Sequence, residues 1–260
     1  MAYAPFDLTG HVALVTGGNR GIGLGMADAL ARAGADVAIC GRDAERNEQA
    51  AIALKQHGNR VLPLTVDVGE EQQVVDAVAK TVGELGRVDS AFINAGIGGV
   101  PKPLVGTTSA DFERVRRVNL DGAFWTLREA ARHMVDRAGA GDPGGSIVAV
   151  ASLAAIEAAP RQYAYAASKA ALIAMIKGAA VELARHQVRA NVIAPGWIAT
   201  EMTSGAQDNP VFAEKVVPRI PSRRWGEPED FGGVAVYLAS TASRYHSADV
   251  LVVDGGYAAF

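Results

Sequence analysis

Short runs of apolar and β-branched residues alternate along the chain with longer stretches whose apolar positions recur at helical spacing. The pattern predicts strands at Val12–Thr16, Val37–Cys40, Val61–Val66, Ser90–Ile93, Ser146–Ala151, Arg189–Ile193 and Val250–Val253. Helices are predicted over Gly23–Ala33, Ala44–His57, Glu70–Leu85, Ser109–Val135, Tyr163–Ala184 and Glu227–Ala239. Strands that alternate with helices read as a parallel sheet covered on both faces. The expected fold class is α/β, a doubly wound sheet of seven parallel strands forming one domain over residues 1–260. Two connections are unusual: Ala138 to Gly145 is glycine-rich, and the stretch from Pro195 to Gly226 is far longer than an ordinary loop. The second, at about 196–226, is the expected substrate lid.

A hydrophobic fraction of 49% in 260 residues supplies one large core, and a net charge of -3 with scattered arginines offers no nucleic-acid footprint. No apolar run approaches the ~20 residues that span a bilayer, and the first residues lack a basic stretch followed by an apolar one. The expectation is a cytoplasmic protein with neither membrane nor nucleic-acid partner. The single cysteine, Cys40, cannot form an internal disulfide and reads as a small buried apolar side chain. The five histidines show no metal-ligand spacing, so no metal is expected.

Thr16-Gly-Gly-Asn-Arg-Gly-Ile-Gly23 follows the first predicted strand and opens the first helix. Glycines let a backbone approach a pyrophosphate, and a helix start offers unpaired N–H groups with partial positive charge. A tight strand-to-helix turn is the plainer alternative. Tyr165 and Lys169 lie four residues apart on a predicted helix and project from one face, which places an ammonium near a phenol. A nearby cation favours the phenolate and moves Tyr165 towards a useful acid/base range. In isolation such a pair is ordinary; beside a dinucleotide loop it points to hydride transfer with Tyr165 exchanging the substrate proton. Tyr163 has Ala167 where Tyr165 has Lys169, so it lacks that activation and reads as a pocket wall.

The spacing Gly17/Gly21/Gly23, Asn94-Ala95-Gly96, Asn119, Ser152, Tyr165/Lys169 and Pro195-Gly196, in that order, resembles the short-chain dehydrogenase/reductase family across essentially the whole chain. The resemblance implies a Rossmann-like fold, with Asn119, Ser152, Tyr165 and Lys169 catalytic. Ser152 would hold the substrate carbonyl, Asn119 would distort its helix to support a water relay to Lys169, and Lys169 would also reach the nicotinamide ribose. Asp67 would bond the adenine, although a helix cap is its alternative, and Asn94 with Gly96 would line the adenine ribose. Thr200 would hold the carboxamide and Ile198 the ring region. Asn19, Arg20, Ile22, Val68, Ala95, Pro195 and Gly196 complete the implied cofactor set. Two departures stand out: Ile93 where Asn commonly precedes Asn-Ala-Gly, and Ala248 where Gly commonly precedes the last strand.

Cofactor choice is argued from charge. Cys40-Gly41-Arg42-Asp43 ends the second strand, where an NAD site would place a ribose-binding carboxylate and an NADP site needs room and positive charge. Gly41 is expected to leave space, with Arg42 and Arg20 supplying donors. Asp43 precedes Ala44-Glu45 and suits a helix N-cap. NADP(H) is therefore preferred, with NAD(H) possible. Trp197, Met202 and Phe212 of the lid, with Leu153, Glu157 and Arg161, are expected around a small carbonyl or alcohol substrate. Oxoacyl-carrier-protein reductases and NAD-dependent sugar or polyol dehydrogenases are comparable resemblances, while a non-catalytic cofactor sensor or an isomerase fits less well. Arg161 or Arg223/Arg224 could attract an anion, but solvated charges are the simpler reading. Helices Ser109–Val135 and Tyr163–Ala184 carry more apolar residues than one sheet face needs, and the family commonly forms tetramers, so a homotetramer is expected.

Overall fold

The structure is a computed structural model that describes residues 4–259. Its strands are β1 (Val12–Thr16), β2 (Asp36–Gly41), β3 (Val61–Thr65), β4 (Ser90–Ile93), β5 (Gly145–Val150), β6 (Val188–Pro195) and β7 (Val250–Val253). The helices are α1 (Gly21–Arg32), α2 (Ala44–Lys55), α3 (Glu71–Leu85), α4 (Ser109–Arg116), α5 (Gly122–Gly139), α6 (Tyr163–Leu183), α7 (Ser204–Gln207), α8 (Pro210–Val216) and α9 (Gly232–Ala239). All seven strands pair in parallel in the order β3-β2-β1-β4-β5-β6-β7. The predicted Rossmann-like α/β class is thus the observed one.

Alternation along the strands divides the apolar residues between two layers. Leu14, Cys40 and Ile147 face Val74, Met134 and Leu172 of α3, α5 and α6. Val15, Ile39 and Val148 face Met26 and Leu30 of α1 and Ala235 of α9. Burial on both faces explains why the central strands read as continuous apolar runs. At the β3 edge, Pro63 removes one ladder donor, which suits an outermost strand.

The order reverses at β1, with β2 on one side and β4 on the other. The carboxyl ends of these two strands therefore open a crevice, the place where sheets of this kind receive ligands. The glycine turn, Asn94, Ser152 and Pro195-Gly196 all follow strand ends at this rim.

Three elements differ from expectation. The predicted helix Ser109–Val135 is two helices joined by a wide π turn over Arg117–Asp121, and the second runs on to Gly139. Glu227–Ala239 begins as a 3-10 turn, Pro228–Phe231, before α9. The long connection holds α7 and α8, and its ends meet at a neck where Ala199 N–H donates to Gly226 C=O at 2.8 Å and Gly226 N–H to Trp197 C=O at 2.9 Å. Short amphipathic helices inside a Pro- and Ser-rich stretch carry too few periodic positions to be read.

Candidate active site

A groove of about 950 Å³ follows the carboxyl ends of the strands. Gly17, Asn19, Arg20, Gly21, Ile22 and Gly23 form one wall, Arg42, Asp67 and Val68 a second, and Asn94, Ala95 and Gly96 the floor. Pro195, Gly196, Ile198 and Thr200 close the far side, and Ser152, Tyr165 and Lys169 stand at the same end. Every expected cofactor residue therefore meets in one cleft.

The fit to a dinucleotide rests on two features. A Cβ on Gly23 would lie 2.1 Å from the Gly17 carbonyl oxygen, and Gly17 has φ +65, so neither position accommodates a side chain in this turn. Helix α1 starts after Arg20 with no side-chain cap, which leaves its first-turn N–H groups to an anion. Thr16 ties this turn to its neighbour: its Oγ1 accepts from the N–H of Asn94 at 3.0 Å and of Ala95 at 3.1 Å, and donates to Phe92 C=O at 3.3 Å.

Several expectations are corrected by the contacts. The Asn94 Nδ2 donates to the Thr16 and Gly17 carbonyls at 3.0 and 3.2 Å, so its side chain braces the glycine turn while the residue lines the groove floor. Gly41 does not leave open space; a Cβ there would lie 2.3 Å from Asn19 Nδ2 and 2.6 Å from Asn47 Oδ1. Those two amides bond each other at 2.7 Å, and buried Asn47 also donates to the Gly41 and Leu64 carbonyls at 2.9 and 3.0 Å. Asp67 Oδ1 accepts from Gly69 N–H at 2.9 Å; it shapes a local turn, while the cap position of α3 belongs to Glu70. Asp43 does cap α2, accepting from Arg46 N–H at 3.1 Å. Arg20 is not free: it pairs with Glu201 at 2.7 Å, and Arg46 joins the same carboxylate at 2.7 Å. Arg42 makes no hydrogen bond or ion pair among the described residues.

At the catalytic end, the Tyr165 phenol and the Ser152 hydroxyl line the same end of the groove. Ser152 also accepts from Ala154 N–H at 3.2 Å, which fixes it at the head of a short turn after β5. Burial pushes Tyr165 above its ordinary value, and the nearby Ser152 hydroxyl pulls in the opposite sense. Lys169 is buried, donates to Val150 C=O at 2.7 Å, and stands with Nζ 5.8 Å from the centroid of the Tyr165 ring. Burial drops its pKa to about 8. The shift of Tyr165 is thus upward, opposite to the expected acidification by Lys169, because desolvation is its largest cause and the Lys169 amine donates to a carbonyl.

Asn119 lies in the π turn, 1% exposed. Its amide pairs with Ile97, accepting from N–H at 2.8 Å and donating to C=O at 2.9 Å, and it donates to Ser168 Oγ at 3.3 Å. Ser168 in turn donates to the Tyr165 carbonyl at 2.7 Å. A Cβ on Gly96 would sit 3.3 Å from Asn119 Oδ1 and 3.4 Å from Lys169 Nζ, so this backbone passes close to both.

The expected substrate wall is only partly assembled. Met202 lines the groove. Trp197 instead packs edge-on against Phe212 and Trp225 at 5.2 and 5.7 Å, in a separate apolar cluster with Leu153, Ile220 and Tyr257. Tyr163, Glu157 and Arg161 are not among the groove residues, and Arg224 pairs with Asp230 at 2.7 Å. Sequence reasoning missed Asn47, Arg46 and Glu201. Asn47 and Arg46 follow Asp43 in the first turn of α2, and Glu201 follows Thr200, but each makes its contacts with residues distant in the chain.

The parallel seven-stranded sheet and its rim site define a nucleotide-binding α/β oxidoreductase architecture, and the similarities place the chain within it. A family profile described as enoyl-(acyl carrier protein) reductase matches residues 17–258. Gluconate 5-dehydrogenase of Gluconobacter oxydans (strain 621H) is 37% identical over 251 residues, covering 96% of each chain. The 3-oxoacyl-[acyl-carrier-protein] reductase of Chlamydia pneumoniae is 39% identical over 249 residues, covering 96% of this chain and 97% of that one. A crystal structure of a gluconate 5-dehydrogenase from Burkholderia cenocepacia J2315 in complex with NADP and tartrate superposes with TM-score 0.92 at 35% identity, over 99% of this chain and 100% of that one. The chain belongs to the short-chain dehydrogenase/reductase family and is an oxidoreductase acting on CH–OH/C=O groups.

Proposed function

We propose that the protein interconverts a secondary alcohol and a ketone with NADP(H), on a polyhydroxy carboxylic acid of the gluconate type. The observation that carries the chemistry is the convergence of Ser152, Tyr165 and Lys169 at the end of the glycine-lined groove, with Lys169 one helical turn from Tyr165. A bound nicotinamide would supply or accept the hydride. Ser152 holds the substrate oxygen and Tyr165 gives it a proton in reduction, or removes that proton in oxidation. Lys169 keeps a positive charge within reach of the phenolate that forms. Asn119 fixes the turn after β4 and, through Ser168, the backbone of Tyr165.

Three cations lining the groove, Arg20 of the glycine turn, Arg42 after β2 and Arg46 of α2, support NADP(H), as does the engagement of Asp43 in capping α2. The gluconate-type substrate is supported by the Gluconobacter relative and the Burkholderia structure with NADP and tartrate. The stretch at 196–226 acts as the substrate lid, contributing Met202. Exposed Phe112 of α4, Phe124 of α5 and Val181 of α6 support self-association into a tetramer through these helices.

The deciding experiment follows reduced-nicotinamide absorbance with NADPH and NADH against keto-gluconates, neutral ketoses and β-ketoacyl thioesters. The reading expects NADPH-dependent reduction of a keto-gluconate. Preference for a thioester would move the substrate to the acyl-carrier class, and preference for NADH would overturn the cofactor assignment.

A further inference from the structure

One carboxylate spans the cofactor groove. Glu201 directly follows Thr200 and opens the 3-10 turn Glu201–Thr203 on the far side of the cleft. Its Oε2 lies 2.7 Å from Nη1 of Arg20 in the glycine turn, and Arg46 Nη1 contacts Oε1 at 2.7 Å and Oε2 at 2.9 Å. Arg46 also stands 3.3 Å from Asp43, the cap of its own helix, while Arg42 beside it has no partner among the described residues. The bridging side chains are 53%, 44% and 59% exposed for Arg20, Arg46 and Glu201. Pairs so open to water add little to stability, so this bridge is easily exchanged.

Two guanidinium groups converging on carboxylate oxygens present the donor geometry that a phosphate also satisfies. A phosphate monoester carries more charge than a carboxylate and three acceptor oxygens. We propose that Glu201 is an internal competitor for the 2′-phosphate of NADP(H): it holds Arg20 and Arg46 and surrenders them when that phosphate arrives. The inference rests on the NADP(H) reading above and adds a residue that sets the strength and consequence of the preference. Release of Glu201 also unfastens the first turn of the 196–226 excursion from the glycine turn. NAD(H) brings no group able to displace the carboxylate and leaves the excursion strapped down. Cofactor identity is thereby coupled to movement of the segment that carries Met202 beside the substrate end.

The test titrates NADPH and NADH into the parent protein, Glu201→Gln, Arg46→Ala and the double variant, by nicotinamide fluorescence. Glutamine keeps the shape and removes the charge. Glu201→Gln is expected to tighten NADPH about fivefold and leave NADH unchanged, and in the Arg46→Ala background that gain is expected to shrink. Limited proteolysis gives a second readout: NADP⁺ is expected to speed cleavage within 204–219 of the parent relative to NAD⁺, with the difference lost in Glu201→Gln. Equal tightening of both cofactors, or weaker NADPH binding, would overturn the competitor role. A parent that prefers NADPH but is indifferent to Glu201→Gln sinks the competitor alone; a parent that prefers NADH sinks the cofactor assignment beneath it.

Discussion

The side-chain amide of Asn119 meets the backbone of Ile97 as one strand meets another, accepting from its N–H and donating to its C=O. Mid-helix asparagine is a poor helix former because its amide competes for backbone partners. Here the competition is resolved by widening the helix to a π turn, which aims the amide at the loop after β4. Asn119→Ala leaves both Ile97 groups without this partner. Its expected cost is about 2 kcal/mol in urea unfolding, with a larger fall in kcat than in cofactor affinity.

Tyr165→Phe removes the proton donor and keeps the ring. Turnover is expected to fall by roughly 10³ or more, with NADPH binding by fluorescence titration within about twofold of the parent. Substantial residual turnover would transfer the acid role to another group.

Lys169 makes stability depend on pH in a defined direction. Its pKa falls to about 8 in the fold against 10.5 when exposed, so between these values the unfolded chain binds the extra proton. Stability therefore rises with pH across that window, with a slope of at most about 1.4 kcal/mol per pH unit, and the cost of burying the charge is felt in full below it. Tyr165, shifted upward, acts oppositely at higher pH, where the unfolded chain loses its proton first. Urea midpoints of parent and Lys169→Met measured from about pH 8 to about pH 10, inside that window, are expected to converge as pH rises; parallel curves would refute the burial effect.

Gly23→Ala drives a methyl group to 2.1 Å from the Gly17 carbonyl oxygen, a backbone atom with little room to retreat. The glycine turn must then rearrange. A loss of more than about tenfold in affinity for either dinucleotide is expected by calorimetry, alongside a lower Tm.

Ala248 has φ +65, in the left-handed region, where the family commonly carries glycine. The strain of a Cβ there is of order 1–2 kcal/mol, partly offset by the greater freedom of glycine in the unfolded chain. Ala248→Gly is therefore expected to raise stability by about 0.5–1 kcal/mol by urea unfolding, with kcat/KM unchanged.

The sheet was legible because strands buried on both faces read as apolar runs, and all seven observed strands start within one residue of their expected positions. Residues whose roles depend on backbone geometry, such as Gly17, Gly23 and Pro195-Gly196, were equally visible as spaced motifs. What periodicity could not reveal was side-chain partnership across long separations. Asn19 and Asn47 fill the space beside Gly41, Glu201 gathers Arg20 and Arg46, and Trp197 turns away from the groove into its own cluster. The effect of Lys169 on Tyr165 was inferred from spacing alone, yet a carbonyl 2.7 Å away decides where the ammonium sits.

The Thr16 hydroxyl joins the exits of β1 and β4 through three short bonds. The two banks of the crevice are thus riveted to each other before any guest arrives, and association need not spend entropy on aligning them. Removing that one oxygen would leave every residue lining the cleft in place and still turn a rigid mould into a loose one.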